Sequence, residues 1–194
     1  MIIVVAGMPG SGKSRLVKEF EEKGVPSVSL GDIVRAETQR RGLKLTRENV
    51  AKVSMRLRQE FGQDAVAKLA IPKIREHLGS KGAVVVEGVR SLDEIGTFKS
   101  AFPWEEIVIV AIHAPPRSRF MRLKGRRRHD DPESWEEFEE RDWKELRFGL
   151  GNVIAMADYM IVNDGSKEEY ERAVKRMVGR VLKERREHGG RNTT

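Results

Sequence analysis

The 194-residue sequence contains no cysteine, which excludes disulfides, thiolate metal sites and thiol nucleophiles. Aromatic residues are scarce, with 3 Trp, 2 Tyr and 7 Phe. No apolar run is enriched in them, so the stacking sheet that many RNA readers use is not visible. Long hydrophobic runs are missing as well. The longest unbroken one is residues 1–7, against the roughly 20 residues that a bilayer span needs. Glycines and Lys13 follow before a signal-peptide core could form. A cytoplasmic protein without a membrane segment is the expectation. There is no internal repeat and no low-complexity tract.

What remains is the composition of a packed globular domain, with 39% hydrophobic and 35% charged residues. The length suits one domain with an insertion. The formal net charge of +7 is unevenly placed. Residues 117–128 hold seven basic side chains and no acid, and residues 130–145 answer them with nine acids against Arg141 and Lys144. Such a cluster is either a solvated helix face or a site for a polyanion.

Five short apolar runs, 2–6, 26–30, 83–86, 107–112 and 159–162, alternate with helical stretches. Runs that are apolar on both faces belong to a parallel sheet covered by helices on either side. The fifty-odd residues between the second and third runs are helical in composition, with breaks expected at Gly42, Gly62 and Gly79. Within them Thr46 is expected to cap a helix whose apolar face is Val50, Val53, Leu57 and Phe61. Residues 132–148 read as a second helical excursion, with Glu137–Arg141 and Glu140–Lys144 spaced for i,i+4 pairs. A last helix over 166–186 turns Tyr170, Val174, Met177, Val178 and Val181 inward. Trp104, Trp135 and Trp143 are expected to pack rather than stack on a base.

Between the first run and the first helix lies Gly7-Met8-Pro9-Gly10-Ser11-Gly12-Lys13-Ser14, which fits G-x-x-x-x-G-K-[ST]. Glycines allow successive amides to converge on one anion at a positively polarised helix N-terminus. Lys13 is placed to reach β and γ phosphates, and the Ser14 hydroxyl to hold Mg²⁺. Four further segments stand at strand ends or follow them: Gly31-Asp32-Ile33-Val34-Arg35, Glu87-Gly88-Val89-Arg90, the run from Arg122 to Asp131, and Asn163-Asp164-Gly165-Ser166.

With these motifs the chain resembles P-loop nucleoside-monophosphate kinases, close to adenylate kinase and dephospho-CoA kinase. Within that superfamily it is most similar to an archaeal adenylate-kinase-like, dephospho-CoA-kinase-related group. The resemblance implies a three-layer α/β P-loop fold with a five-stranded parallel sheet. Its single domain spans 1–188, with a core of 1–31, 80–121 and 152–188, a helical acceptor-binding insertion over 32–79, a short zinc-free lid over 122–148, and a tail at 189–194. It also implies γ-phosphoryl transfer from ATP, with Mg²⁺, to a nucleotide-like acceptor, foremost a nucleoside monophosphate. By the resemblance Asp32 orients groups or, for a ribose hydroxyl acceptor, serves as base. Arg35 and Arg90 hold the acceptor phosphate, and Glu87 stands where the family has a metal-associated Asp. Arg122 lies over the base, bordered by Asn163 and Gly165. Arg126, Arg128 and Arg141 face the transferring phosphates, and His129 is structural. A dephospho-CoA-kinase-like acceptor is the enzymatic alternative. A nucleotide-switched RNA-binding or regulatory protein is the alternative of another class. The molecule is expected to be a monomer or a homodimer.

Overall fold

The computed structural model describes residues 1–126 and 131–189, with side chains to 184. In chain order the elements are β1 (Ile2–Ala6), α1 (Lys13–Glu22), β2 (Ser27–Ser29), α2 (Leu30–Arg40), α3 (Arg47–Phe61), α4 (Ala65–Lys81) and β3 (Val84–Glu87). They continue with α5 (Leu92–Ala101), β4 (Ile107–His113), α6 (Pro116–Arg126), α7 (Trp135–Arg147), α8 (Leu150–Ala155), β5 (Tyr159–Val162) and α9 (Lys167–Gly189). The strands form one sheet in the order β2-β3-β1-β4-β5, and every neighbouring pair is parallel. This is the five-stranded parallel α/β architecture expected from the apolar runs.

The period of two along each strand divides the core into two layers. Ile2, Val4 and Ala6 of β1 join Val84 and Val86 of β3 and pack against α2, α3, α4, α5 and α8. Ile3 and Val5 join Val85, Val110 and Ile112 and pack against α1 and α9. On α9, Tyr170, Val174, Val178 and Val181 recur at steps of three and four residues and are buried, while Met177 lies partly buried at their flank.

Sequence punctuation locates most helix ends. Thr46 Oγ1 accepts the Asn49 N–H at 3.2 Å and so caps α3, and Gly62 closes it at φ +96°. Gly79 does not break the chain as expected. Helix α4 runs through it to Lys81 and ends at Gly82, which takes the left-handed conformation. An exposed glycine near a helix end costs only about 1 kcal/mol relative to alanine, which the buried face of Ala67, Ala70 and Ile74 outweighs. Phe61, expected inward, is 59% exposed, and Trp104 is 95% exposed rather than packed. Trp143 is also exposed, whereas Trp135 packs edge-on to Phe120 with ring centres 5.5 Å apart.

Chain connections leave β1 toward the β2 side through α1, and the chain returns past β3 to β4 on the other flank. The C-terminal tips of β1, β3 and β4 therefore border a crevice at the point where strand order reverses, the ordinary ligand position in such sheets.

Candidate active site

The loop from Gly7 to Gly12 leaves the tip of β1 with φ of +151°, +80° and +110° at Gly7, Gly10 and Gly12. A Cβ at Gly10 would stand 2.8 Å from the Arg119 carbonyl oxygen, and one at Gly12 would stand 2.7 Å from Asn163 Nδ2. Glycine is therefore required here both by conformation and by the close approach of α6, α9 and the loop after β5. These neighbours hold the loop through its carbonyls. Arg119 Nη1 donates to Pro9 O at 3.2 Å, Asn163 Nδ2 to Ser11 O at 2.8 Å and the Tyr170 hydroxyl to Gly12 O at 2.9 Å. The Ser11 N–H is spent within the loop on Met8 O at 3.1 Å, and the remaining loop N–H groups stand at the α1 N-terminus, where an anion is favoured.

Lys13 folds back over this loop, its Nζ donating to Gly7 O at 2.6 Å and Met8 O at 3.1 Å. Burial draws its pKa down to about 8 against the opposing pull of Glu145 and Glu87, and Arg90 and Arg141 add to the lowering. A lysine so placed holds its charge weakly until a polyanion arrives. Ser14 is exposed in the first turn of α1, and Glu87 ends β3 beside Val5 and Ser29. No group of three or more His, Cys, Asp or Glu gathers among the described residues. This donor set fits Mg²⁺, which keeps most of its water and leans on one hydroxyl, one carboxylate and phosphate oxygens.

Around the loop lies a cleft of about 390 Å³ walled by Lys13, Arg90, Arg122, Arg126, Arg141 and Glu145. Arg122 Nη2 donates to Asn163 O at 3.1 Å and Asn163 Oδ1 at 3.2 Å, and its Nη1 is buried without a partner. Asn163, itself buried, thus spends its side chain on Ser11 and Arg122. Gly165 lies two residues further on, where a Cβ would meet the Glu169 carboxylate. Arg126 grips Asp131 at 3.0 and 2.5 Å. Arg141 also approaches Asp131, at 3.8 Å, instead of an i,i+4 pair with Glu137. Arg128 and His129 lie outside the described residues.

A second cleft of about 500 Å³ opens between α2, α3 and α7, with Arg35, Val50, Ser54, Arg141 and Phe148 in its walls. Arg35 donates from Nε and Nη2 to Asp32 Oδ1 at 2.9 and 2.5 Å. Asp32 thereby props Arg35 instead of lining the cleft. Arg90, Arg141 and Glu145 belong to both clefts and form their common wall.

Several members of this site were not singled out from sequence. Glu145 accepts from Arg90 Nε at 2.7 Å and Nη2 at 3.3 Å. Glu94, fully buried, accepts the Arg90 N–H at 2.6 Å and Arg58 Nη2 at 3.2 Å. Arg119 belongs to the basic run, but it is a buried tie rather than a polyanion contact. It donates to both carboxylate oxygens of Asp142 at 2.8 and 2.5 Å and to Ala114 O at 3.0 Å.

The AAA domain family matches residues 6–139. A UPF0200 protein of Thermococcus onnurineus is 72% identical over 184 residues, covering 95% of this chain and 100% of its own. A UPF0200 protein of Pyrococcus abyssi is 49% identical over 182 residues, 94% of this chain and 97% of its own. The chain belongs to the UPF0200 family. Among solved structures, TT1252 from Thermus thermophilus superposes with a TM-score of 0.64 at 22% identity, covering 93% of this chain and 97% of that one. Shikimate kinase from Bacteroides thetaiotaomicron superposes with a TM-score of 0.58 at 18% identity, covering 94% and 98%. This UPF0200 chain therefore has the fold of P-loop kinases.

Proposed function

We propose that this UPF0200 protein is a Mg²⁺-dependent phosphotransferase that moves the γ-phosphoryl of ATP to a nucleotide-like acceptor, foremost a nucleoside monophosphate. The observation that carries the reading is the junction of the two clefts, in which Arg90 and Arg141 front both the phosphate loop and the cavity of the helical segment. In this reading residues 32–79 are the acceptor-binding insertion and residues 122–148 the lid. The loop amides and Lys13 hold the β and γ phosphates of the donor. Arg126, Arg141 and Arg128 spread their charge over the equatorial oxygens of the transferring group, whose bond to the bridging oxygen of ADP breaks as a bond to the acceptor oxygen forms. Arg35 and Arg90 hold the acceptor phosphate in line with the donor, and closure of the lid over the clefts keeps water from competing. Arg122 and the turn at Asn163 and Gly165 border the base. When bound, Mg²⁺ neutralises charge on the donor phosphates, and Ser14 with Glu87 would hold it.

Asp32 supports a phosphate acceptor over a ribose hydroxyl, since its Oδ1 is committed to Arg35 and it does not face the cleft. An RNA-binding role for the basic run is weakened by the burial of Arg119 and its pairing with Asp142. No helix among the described residues is long and apolar enough to cross a membrane, and the proposed compartment is the cytoplasm.

Steady-state kinetics of Arg35→Ala and Arg90→Ala test the assignment. Losing a charge-assisted hydrogen bond of about 1.5–3 kcal/mol raises the acceptor KM roughly 10 to 100-fold, with ATP affinity held within about twofold. Collapse of ATP affinity in both variants moves these arginines to the donor side and overturns the reading.

A further inference from the structure

Arg90 is already engaged. Its guanidinium holds Glu145 at two points, 2.7 and 3.3 Å, in the geometry with which arginine takes a phosphate. Arg90 is tied by its N–H to buried Glu94 at 2.6 Å, Glu94 is held by Arg58, and the Phe148 ring lies 5.2 Å from the Arg58 guanidinium and 5.8 Å from that of Arg90. Glu145 reaches Arg90 with its side chain from α7, three residues before Phe148, and stands in the wall common to both clefts. One turn earlier on the same helix face stands Arg141, the spacing at which the carboxylate could find a second cation.

We propose that Glu145 is a positioning residue that makes the acceptor subsite conditional on the donor: its carboxylate occupies Arg90 until donor phosphates entering the neighbouring cleft repel it. This inference rests on the phosphotransferase reading and adds to it a coupling between the two substrates. The physical argument is one of like charge across a shared wall. Without donor, an acceptor phosphate must first break the Arg90–Glu145 pair, and its affinity is lowered by that cost. Donor phosphates at Lys13 raise the energy of the Glu145 carboxylate where it stands, because the same half-buried wall separates them. The pair weakens and Arg90 becomes available. The same field acts on the acceptor phosphate, where Lys13 and Arg141 screen it, so the gain in acceptor affinity is the release of Arg90 less that repulsion. By linkage the acceptor improves donor affinity by the same factor. The influence of Glu145 on the Lys13 ammonium, the largest opposing burial there, agrees with its position between the two subsites.

Isothermal titration of AMP, CMP, GMP and UMP, with and without saturating Mg²⁺ and a non-hydrolysable ATP analogue, tests the proposal on wild type, Glu145→Gln, Arg90→Gln and the double variant. The nucleotide that binds most tightly serves as the acceptor probe. In the wild type the analogue should tighten acceptor binding. Glu145→Gln should tighten acceptor binding about tenfold without the analogue and change it little with it, so that the donor effect shrinks about tenfold. In the Arg90→Gln background Glu145→Gln should change acceptor affinity less than about twofold, which a merely structural role for the carboxylate would not produce. The reverse titration, analogue into protein saturated with monophosphate, must return the same factor, whereas a monophosphate lodged in the donor loop would weaken the analogue. Glu145→Asp, which keeps the charge, should retain most of the coupling, and thermal melts of each variant check the fold. Unchanged coupling in Glu145→Gln, or the same change without Arg90, overturns the proposal while leaving the phosphotransferase reading intact. Failure of all four monophosphates to bind the wild type overturns the nucleoside-monophosphate acceptor and the proposal with it.

Discussion

Arg119 offers the sharpest test of how the phosphate loop is held. Its side chain is 4% exposed, reaches Pro9 in the loop and Ala114 after β4, grips both oxygens of Asp142 on α7, and lies 4.9 Å over the Phe138 ring. Replacing it with methionine preserves much of the volume but strands a carboxylate that is 14% exposed and removes the donors to the Pro9 and Ala114 carbonyls. Breaking a buried pair from one side costs about 3–5 kcal/mol. The partial exposure of Asp142 places Arg119→Met at the low end, about 3 kcal/mol, which corresponds to a drop in Tm of roughly 6–12 °C for a chain of this size. Urea denaturation followed by circular dichroism measures it. The double variant Arg119→Met/Asp142→Leu removes the stranded charge and should recover a large part of the loss. A loss below about 1 kcal/mol in Arg119→Met, the range of an exposed pair, would refute the view that this tie fixes the loop.

Further outcomes follow from the same geometry. Lys13→Ala should leave the fold intact, because Lys13 touches only loop carbonyls, yet lower the rate of transfer by about 10²-fold or more; turnover near wild type would contradict the donor assignment. Since burial depresses the Lys13 pKa to about 8, kcat/KM for ATP should fall as pH rises through about 8, and a profile flat to pH 10 would contradict it. The same depression means that the unfolded chain binds more protons between about pH 8 and the ordinary lysine value, so this group's contribution to stability grows with pH over that window. Gly12→Ala should destabilise the chain by about 1–3 kcal/mol, because φ +110° is strained for alanine and its Cβ meets Asn163 Nδ2 and the Tyr170 hydroxyl; a thermal melt within a degree of wild type would refute the packing.

What the sequence revealed and what it hid divide along chain distance. The parallel sheet was legible because β-branched runs such as Ile2–Ala6 are apolar on both faces, and the phosphate loop because its spacing is local and sits between a strand and a helix. Thr46 and Gly62 mark helix ends through the chemistry of neighbouring residues. Gly79 misled because a glycine is tolerated in a helix whose buried face is strong. Trp104 misled because side-chain size does not dictate burial on a loop. Glu145 and Arg90 are 55 positions apart, and Arg119 reaches Pro9 across 110. Arg90 was legible at its strand end, but nothing in the local pattern distinguishes Glu145 and Arg119 from the solvated charges beside them, and only the meeting of α6 and α7 with the strand tips selects those two.

The central claim is transfer of a phosphoryl group to a nucleotide-like acceptor. The measurement that tests it most directly is incubation of the protein with Mg²⁺ and γ-labelled ATP and, in turn, each nucleoside monophosphate, dephospho-CoA and short RNAs, with label followed into product. Label should appear in a nucleoside diphosphate, be lost in Lys13→Ala and be suppressed at low acceptor concentration in Arg35→Ala. ATP binding without transfer to any of these acceptors, accompanied by RNA binding whose salt dependence matches several phosphate contacts, would contradict it.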